Sequence, residues 1–243
     1  MDCAGRPTVL RESSDAEPEQ RSRVGTRNWR PEIVRFGLFR FQPRRHPRFD
    51  VYGYEAPNLR KLADKVAATG FYAVVPDFFN GDPFDPTNSE KPLPVWKGLH
   101  EPAKAFEDTK LVISALKSKG ISAIGAAGFC YGAKVVVELA KDGLIQAGVL
   151  LHPSFVTVDD FKEVKAPMAI LGAETDIYSP PELVKQFEKI LSYKPEVASF
   201  VKVSLGVAHG WTVRYNLEDE KAVKSAEEAH TDMLNWFVKY VSK

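Results

Sequence analysis

The chain has 243 residues, 44% hydrophobic and 11% aromatic, enough to bury one substantial core and form one catalytic or binding domain. Its 33 basic and 32 acidic residues leave a net charge of +1, so no global field draws it to nucleic acid or to an anionic membrane. No run approaches the ~20 apolar residues of a membrane span, and the polar start MDCAGRPTVLRESSDAEPEQ lacks the apolar centre of a secretory signal, so the expected location is cytoplasmic.

Residues 1 to about 30, rich in Arg, Glu, Ser and Pro without apolar periodicity, read as a disordered tail. From Pro57 the pattern becomes regular. PNLRKLADKVAATG sets Leu59, Leu62 and Val66 at helical spacing and stops at Gly70; FYAVVP (71–76) then reads as a buried strand. The loop from Asn80 to His100 is too long for a routine connection and is expected to wall a pocket. A helix near 102–119, a strand near 121–126, a helix near 131–142 and the strand AGVLLH follow. The strand MAILG, a helix opened by SPPELVKQFEKIL, a strand near 199–204 and a closing helix near 218–241 complete the series. Alternation of this kind predicts an α/β fold with a mostly parallel sheet covered on both faces, and a ligand site beyond the carboxyl ends of the strands.

GAAGFCYGA (125–133) sets Cys130 between Gly128 and Gly132 at a strand-to-helix turn. A nucleophile elbow needs that context, because the turn exposes the side chain and the helix aims its first amides at the site. The competing reading is a small buried thiol. Cys3 and Cys130 make no disulfide framework and too few ligands for a cysteine zinc site, so no metal is expected. A thiol nucleophile needs a base, and the base an orienting acceptor. LGAETD ends a strand with Asp176, and GVAHGW ends the next with His209, giving the order nucleophile, acid, histidine. Taken singly, Asp176 also suits a helix cap and His209 a surface loop. Glu174 competes as the acid. His152, in LLHPS where another strand ends, competes as the histidine but precedes the acid, and is placed in the pocket wall or in a structural hydrogen bond.

With these motifs, and with YGYEAPNLRKLADKVAATGFYAVVPDFF, the chain resembles the dienelactone hydrolases over roughly residues 50–241. That family consists of α/β-hydrolases with a cysteine nucleophile. The resemblance is strongest to a plant branch, some members of which are named endo-1,3;1,4-β-D-glucanase. It implies Cys130 as nucleophile, His209 as base and Asp176 as the acid orienting it. The Tyr131 amide would be one oxyanion donor, with a second near Val51 or Tyr52. It also points to Asp50, where bacterial members carry a glutamate near the thiol, and to Arg214, near the arginine that holds a substrate carboxylate. Trp211 and His152 join these as expected substrate-binding positions.

The family pattern calls for an apolar strand just before DVYGYE, where this chain reads VRFGLFRFQPRRHPRF. Arg40, Arg44, Arg45 and Arg48 with Pro43 and Pro47 do not suit a buried parallel strand. With one choice of synonymous codons, residues 42–49 read one nucleotide later give Asn-Leu-Ala-Val-Ile-Leu-Val-Ser. Residues 31–49 are therefore set apart as an anomalous segment, with an out-of-frame translation as its explanation, and residues 50–243 as the catalytic domain. The resulting expectation is a hydrolase of a small-molecule ester or lactone, without cofactor, as a monomer or small homo-oligomer. The rivals are a non-catalytic binding protein that keeps the fold and a polysaccharide-related hydrolase.

Overall fold

A computed structural model describes Gly53 and residues 57–241. The anomalous segment 31–49, the tail before it, and Asp50, Val51 and Tyr52 lie outside the described residues.

Among the described residues, four strands form one parallel sheet in the order β1 (Gly125–Phe129), β2 (Ala147–Leu151), β3 (Met168–Thr175), β4 (Ser199–Ala208). All five residues of β2 are buried, as a central parallel strand with both faces covered requires. Alternation assigns its side chains: Leu150 joins the cluster of α3 (Pro102–Lys117), α4 (Gly132–Lys141) and α6 (Pro181–Ser192). Val149 and Leu151 join the opposite cluster, with α1 (Pro57–Ala68) and α7 (Glu220–Tyr240). Ile170 and Leu171 divide in the same way on β3. Each such fully buried aliphatic contributes roughly 1.5–3 kcal/mol. Among the described residues there are also two short helices, α2 (Leu93–Leu99) inside the long loop and α5 (Asp160–Glu163) after β2; the sequence pattern indicates neither.

Two expected strands differ. The one placed at 121–126 begins at Gly125 and runs to Phe129. The Gln146 side chain accepts the Ile124 amide, and the Gln146 amide donates to the Ile124 carbonyl at 2.7 Å, so Ile124 is tied before the ladder starts. The run at 71–76 buries Phe71, Val74 and Val75, yet forms no ladder with any strand among the described residues. A strand is defined by its partner, and apolar content does not supply one. No helix among the described residues is long and apolar enough to cross a membrane.

The ladder between β3 and β4 carries an irregularity between Ala173 and Thr175, after which Thr175 pairs with Ala208. The next residues of the two strands are close to Asp176 and His209. The sheet therefore ends with its acidic and imidazole candidates side by side.

Candidate active site

Cys130 follows β1 directly and takes φ +48, a conformation that costs a non-glycine residue energy. Its amide donates to the Leu151 carbonyl at 3.1 Å, and its carbonyl accepts the Ser154 amide at 3.0 Å and the Ala133 amide at 3.2 Å. The strain thus sits on the cysteine itself, held by the end of β2, rather than on its glycines. Gly128 serves close approach instead: a Cβ there would lie 2.4 Å from the Gly132 carbonyl oxygen. The Tyr131 and Gly132 amides stand at the start of α4, where the first amides of a helix have no intrahelical acceptor.

His209 Nδ1 donates to Asp176 Oδ2 at 2.7 Å. The other carboxylate oxygen, Oδ1, accepts the amides of Tyr178 at 2.8 Å and Ser179 at 3.1 Å. Burial opposes ionisation of Asp176, but these hydrogen bonds hold its carboxyl below the usual range. The competing acid, Glu174, is turned away and accepts the Gly206 amide at 2.6 Å. Burial likewise opposes charge on His209, yet the Asp176 hydrogen bond and the Cys130 thiol push its pKa up to about 9. His209 Nε2 has no partner in ordinary hydrogen-bond geometry, although the thiol is near enough to raise the ring.

His152 is fully buried with φ +40, shares a 2.8 Å hydrogen bond with Thr212 Oγ1, and stacks edge-on to His209 with ring centroids 5.0 Å apart. Burial, with His209 and Arg214 nearby, pushes its pKa well below the histidine value, so it is a neutral ring. Its hydrogen bond to Thr212 and its ring contact with His209 tie it to the turn after β4. Trp211 is 5.4 Å from the His152 ring and lines a cavity of ≈ 330 Å³ with His209, Arg214 and Tyr215. Arg214 folds back over Gly210, where a Cβ would meet its side chain at 2.6 Å.

Ser154, which no sequence motif singles out, places its hydroxyl 3.5 Å from Cys130 Sγ. Its position after the strand end LLH was the available signal. Tyr178, whose ring is 4.8 Å from that of His209, is another such residue. No group of three or more His, Cys, Asp or Glu with metal-holding geometry occurs among the described residues.

Residues 49–241 match the model of the dienelactone hydrolase family. The chain belongs to the dienelactone hydrolase family. Over 148 residues it is 46% identical to the endo-1,3;1,4-beta-D-glucanase of Zea mays, a match covering 61% of this chain and 48% of that protein, about half its length. It is 32% identical over 197 residues to the carboxymethylenebutenolidase homolog of Xenopus tropicalis, covering 79% of this chain and 80% of the other. A solved structure of a dienelactone hydrolase candidate from Klebsiella pneumoniae superposes with a TM-score of 0.69 over 88% of this chain and 90% of its own, at 20% identity. That likeness establishes the α/β-hydrolase fold. Within this family member, the carboxyl ends of β1, β2 and β3 and the turn after β4 supply every group just described.

Proposed function

We propose that the protein hydrolyses esters or lactones of small molecules through a cysteine nucleophile, with Cys130, His209 and Asp176 as its triad. The observation that carries this reading is the pairing of His209 with a buried, doubly amide-bound Asp176, together with the influence of the Cys130 thiol on the same ring. His209, whose pKa is pushed up to about 9, is the base that takes the Cys130 proton. The thiolate attacks the carbonyl carbon, and the π electrons move to oxygen, where the Tyr131 amide and a second donor receive the oxyanion. Collapse expels the alkoxide, which takes its proton from His209. Neutral His209 then draws a proton from water as that water attacks the thioester, releasing the acid and restoring the thiolate. Asp176 keeps the ring in one tautomer throughout.

The name of the maize relative raises glycosidic cleavage. That chemistry calls for two carboxylates flanking the scissile bond. Asp176 is fully engaged and Glu174 is directed at Gly206, so ester or lactone cleavage fits better. A panel of esters and lactones, with mixed-linkage glucan beside them, run on wild type and Cys130→Ala tests the proposal. Ester or lactone turnover lost in Cys130→Ala supports it. Glucan cleavage retained by that variant, or binding without turnover of any compound, favours the rivals.

A further inference from the structure

The segment that follows β2 is tied to all three candidate triad residues. The His152 ring meets that of His209 at 5.0 Å, the Pro153 carbonyl accepts the Ser179 hydroxyl at 2.8 Å, and the Ser154 amide donates to the Cys130 carbonyl at 3.0 Å. Ser179 is also a residue whose amide reaches Asp176. Ser154 is therefore held by the backbone of the nucleophile and, through Pro153, by the loop that carries the acid. His152 and Phe155, on either side of Pro153 and Ser154, take φ +40 and φ +62. Neither is glycine, so both conformations cost energy and persist only where the surrounding contacts impose them; strain of this kind collects at functional sites.

What this strained segment delivers to the nucleophile is one hydroxyl. Ser154 is 2% exposed, its Oγ lies 3.5 Å from Cys130 Sγ, and the sulfur is the only partner of that hydroxyl among the described residues. Ser179, equally buried, directs its hydroxyl to a backbone carbonyl, the ordinary structural use. Cys130 is itself 6% exposed, so little water reaches its sulfur. While the sulfur is a thiol, either atom can donate. A thiolate has no proton, so only the hydroxyl can donate to it, and a hydrogen bond to an ionised acceptor is about twice as strong as one between neutral groups. The contact therefore favours the charged sulfur over the neutral one.

We infer that Ser154 is a catalytic residue whose hydroxyl donates a hydrogen bond to the Cys130 sulfur whenever that sulfur carries negative charge, before attack on the carbonyl and again as the thioester breaks. The inference rests on the cysteine hydrolase reading and adds a residue to it. No bond to Ser154 forms or breaks. The thiol proton passes to His209, the electron pair stays on sulfur, and the Ser154 proton remains on Oγ throughout.

The test places Ser154→Ala and Ser154→Thr beside the wild-type serine, each with Cys3→Ser so that Cys130 is the one thiol, and follows alkylation by iodoacetamide as the rate rises with pH to its plateau. Below the plateau the rate falls about tenfold in Ser154→Ala, as expected for one hydrogen bond to a charged group, so the curve moves to higher pH while the plateau rate and the melting temperature stay near wild type. Ser154→Thr, which keeps the hydroxyl, stays nearer to wild type. The kcat/KM for 4-nitrophenyl acetate falls by a similar factor in Ser154→Ala. The titratable groups on the neighbouring turns, Tyr131, His152, Asp176 and His209, are the same in all three proteins and cannot account for the shift. Alkylation reads the contact without turnover: activity retained by Cys130→Ala would end the cysteine reading, whereas the shifted curve would still show the hydroxyl acting on the sulfur. A curve that does not move in folded Ser154→Ala, or a loss that falls equally on the plateau and below it, overturns the inference and leaves Ser154 as a packing residue at the turn.

Discussion

Asp176 and His209 are joined at 2.7 Å one residue beyond the Thr175 and Ala208 pair that closes the β3 and β4 ladder, and the His209 amide itself donates to the Thr175 carbonyl at 2.9 Å. The contact is thus set by sheet register. Replacing Asp176 by Asn keeps the shape but offers the imidazole the wrong partner. Ester turnover should fall on the order of 10⁴-fold, as the same exchange does in serine hydrolase triads, while the melting temperature changes little. Steady-state kinetics beside calorimetry on Asp176→Asn checks this; near-normal turnover would remove Asp176 from its role.

The two neighbouring histidines should separate. His209→Ala abolishes turnover, whereas His152→Asn retains part of it, because His152 is a neutral, buried support hydrogen-bonded to Thr212. Asn tolerates the φ of +40 at that position, so the variant isolates the ring. Loss confined to the His152 variant would reverse the assignment.

Gly128→Ala places a methyl group 2.4 Å from the Gly132 carbonyl oxygen, backbone that has no room to yield. Overpacking of this kind costs about 1–3 kcal/mol, and the shift falls on the turn that carries Cys130. Thermal unfolding should show a lower melting temperature and kinetics a lower kcat. Gly132→Ala, with nothing within 4 Å of the added Cβ, is the milder control.

Stability should bend with pH in opposite senses at two histidines. Burial pushes His230 down to about 4, even though its Nε2–H donates to the Thr212 carbonyl at 2.7 Å. Its folded pKa lies below the unfolded value of 6.5, so its contribution is complete above pH 6.5 and is lost as pH falls toward about 4. His209 is the reverse: raised from 6.5 to about 9, it contributes fully below pH 6.5 and loses that contribution as pH rises through about 9. Calorimetry from pH 4 to 9 should show His230→Gln flattening the acid limb and His209→Gln the alkaline one.

The alternation of helices and strands from residue 57 onward was legible because buried parallel strands and amphipathic helices write themselves as local pattern. So was the clustering of Cys130, Asp176 and His209, since each follows a strand at the same edge of the sheet. What local pattern cannot carry is pairing at a distance. Gln146 delays β1 by capping Ile124, Thr212 claims His152, and Ser154 reaches Cys130, each through a contact between separate segments. Gly128 shows the same limit: the sequence sets it two residues before Cys130, while the need for a glycine there comes from Gly132 across the turn.

Phe71, Val74 and Val75 are buried in a segment without a ladder partner among the described residues. Replacing residues 42–49 with Asn-Leu-Ala-Val-Ile-Leu-Val-Ser should supply one, raising both melting temperature and turnover. Loss of one oxyanion donor costs about 10²–10³ in rate, which sets the scale of the expected gain. No change in either quantity, with the original chain folded and active, would end the out-of-frame account.

The most direct measurement is mass spectrometry of the acyl-enzyme after rapid acid quench with 4-nitrophenyl acetate. Cys130 should carry an acetyl thioester that forms within the burst and disappears on the turnover timescale, and Cys130→Ala should show neither adduct nor turnover. Unimpaired turnover in Cys130→Ala, or an acetyl group that accumulates and turns over on a different residue, would contradict the cysteine mechanism.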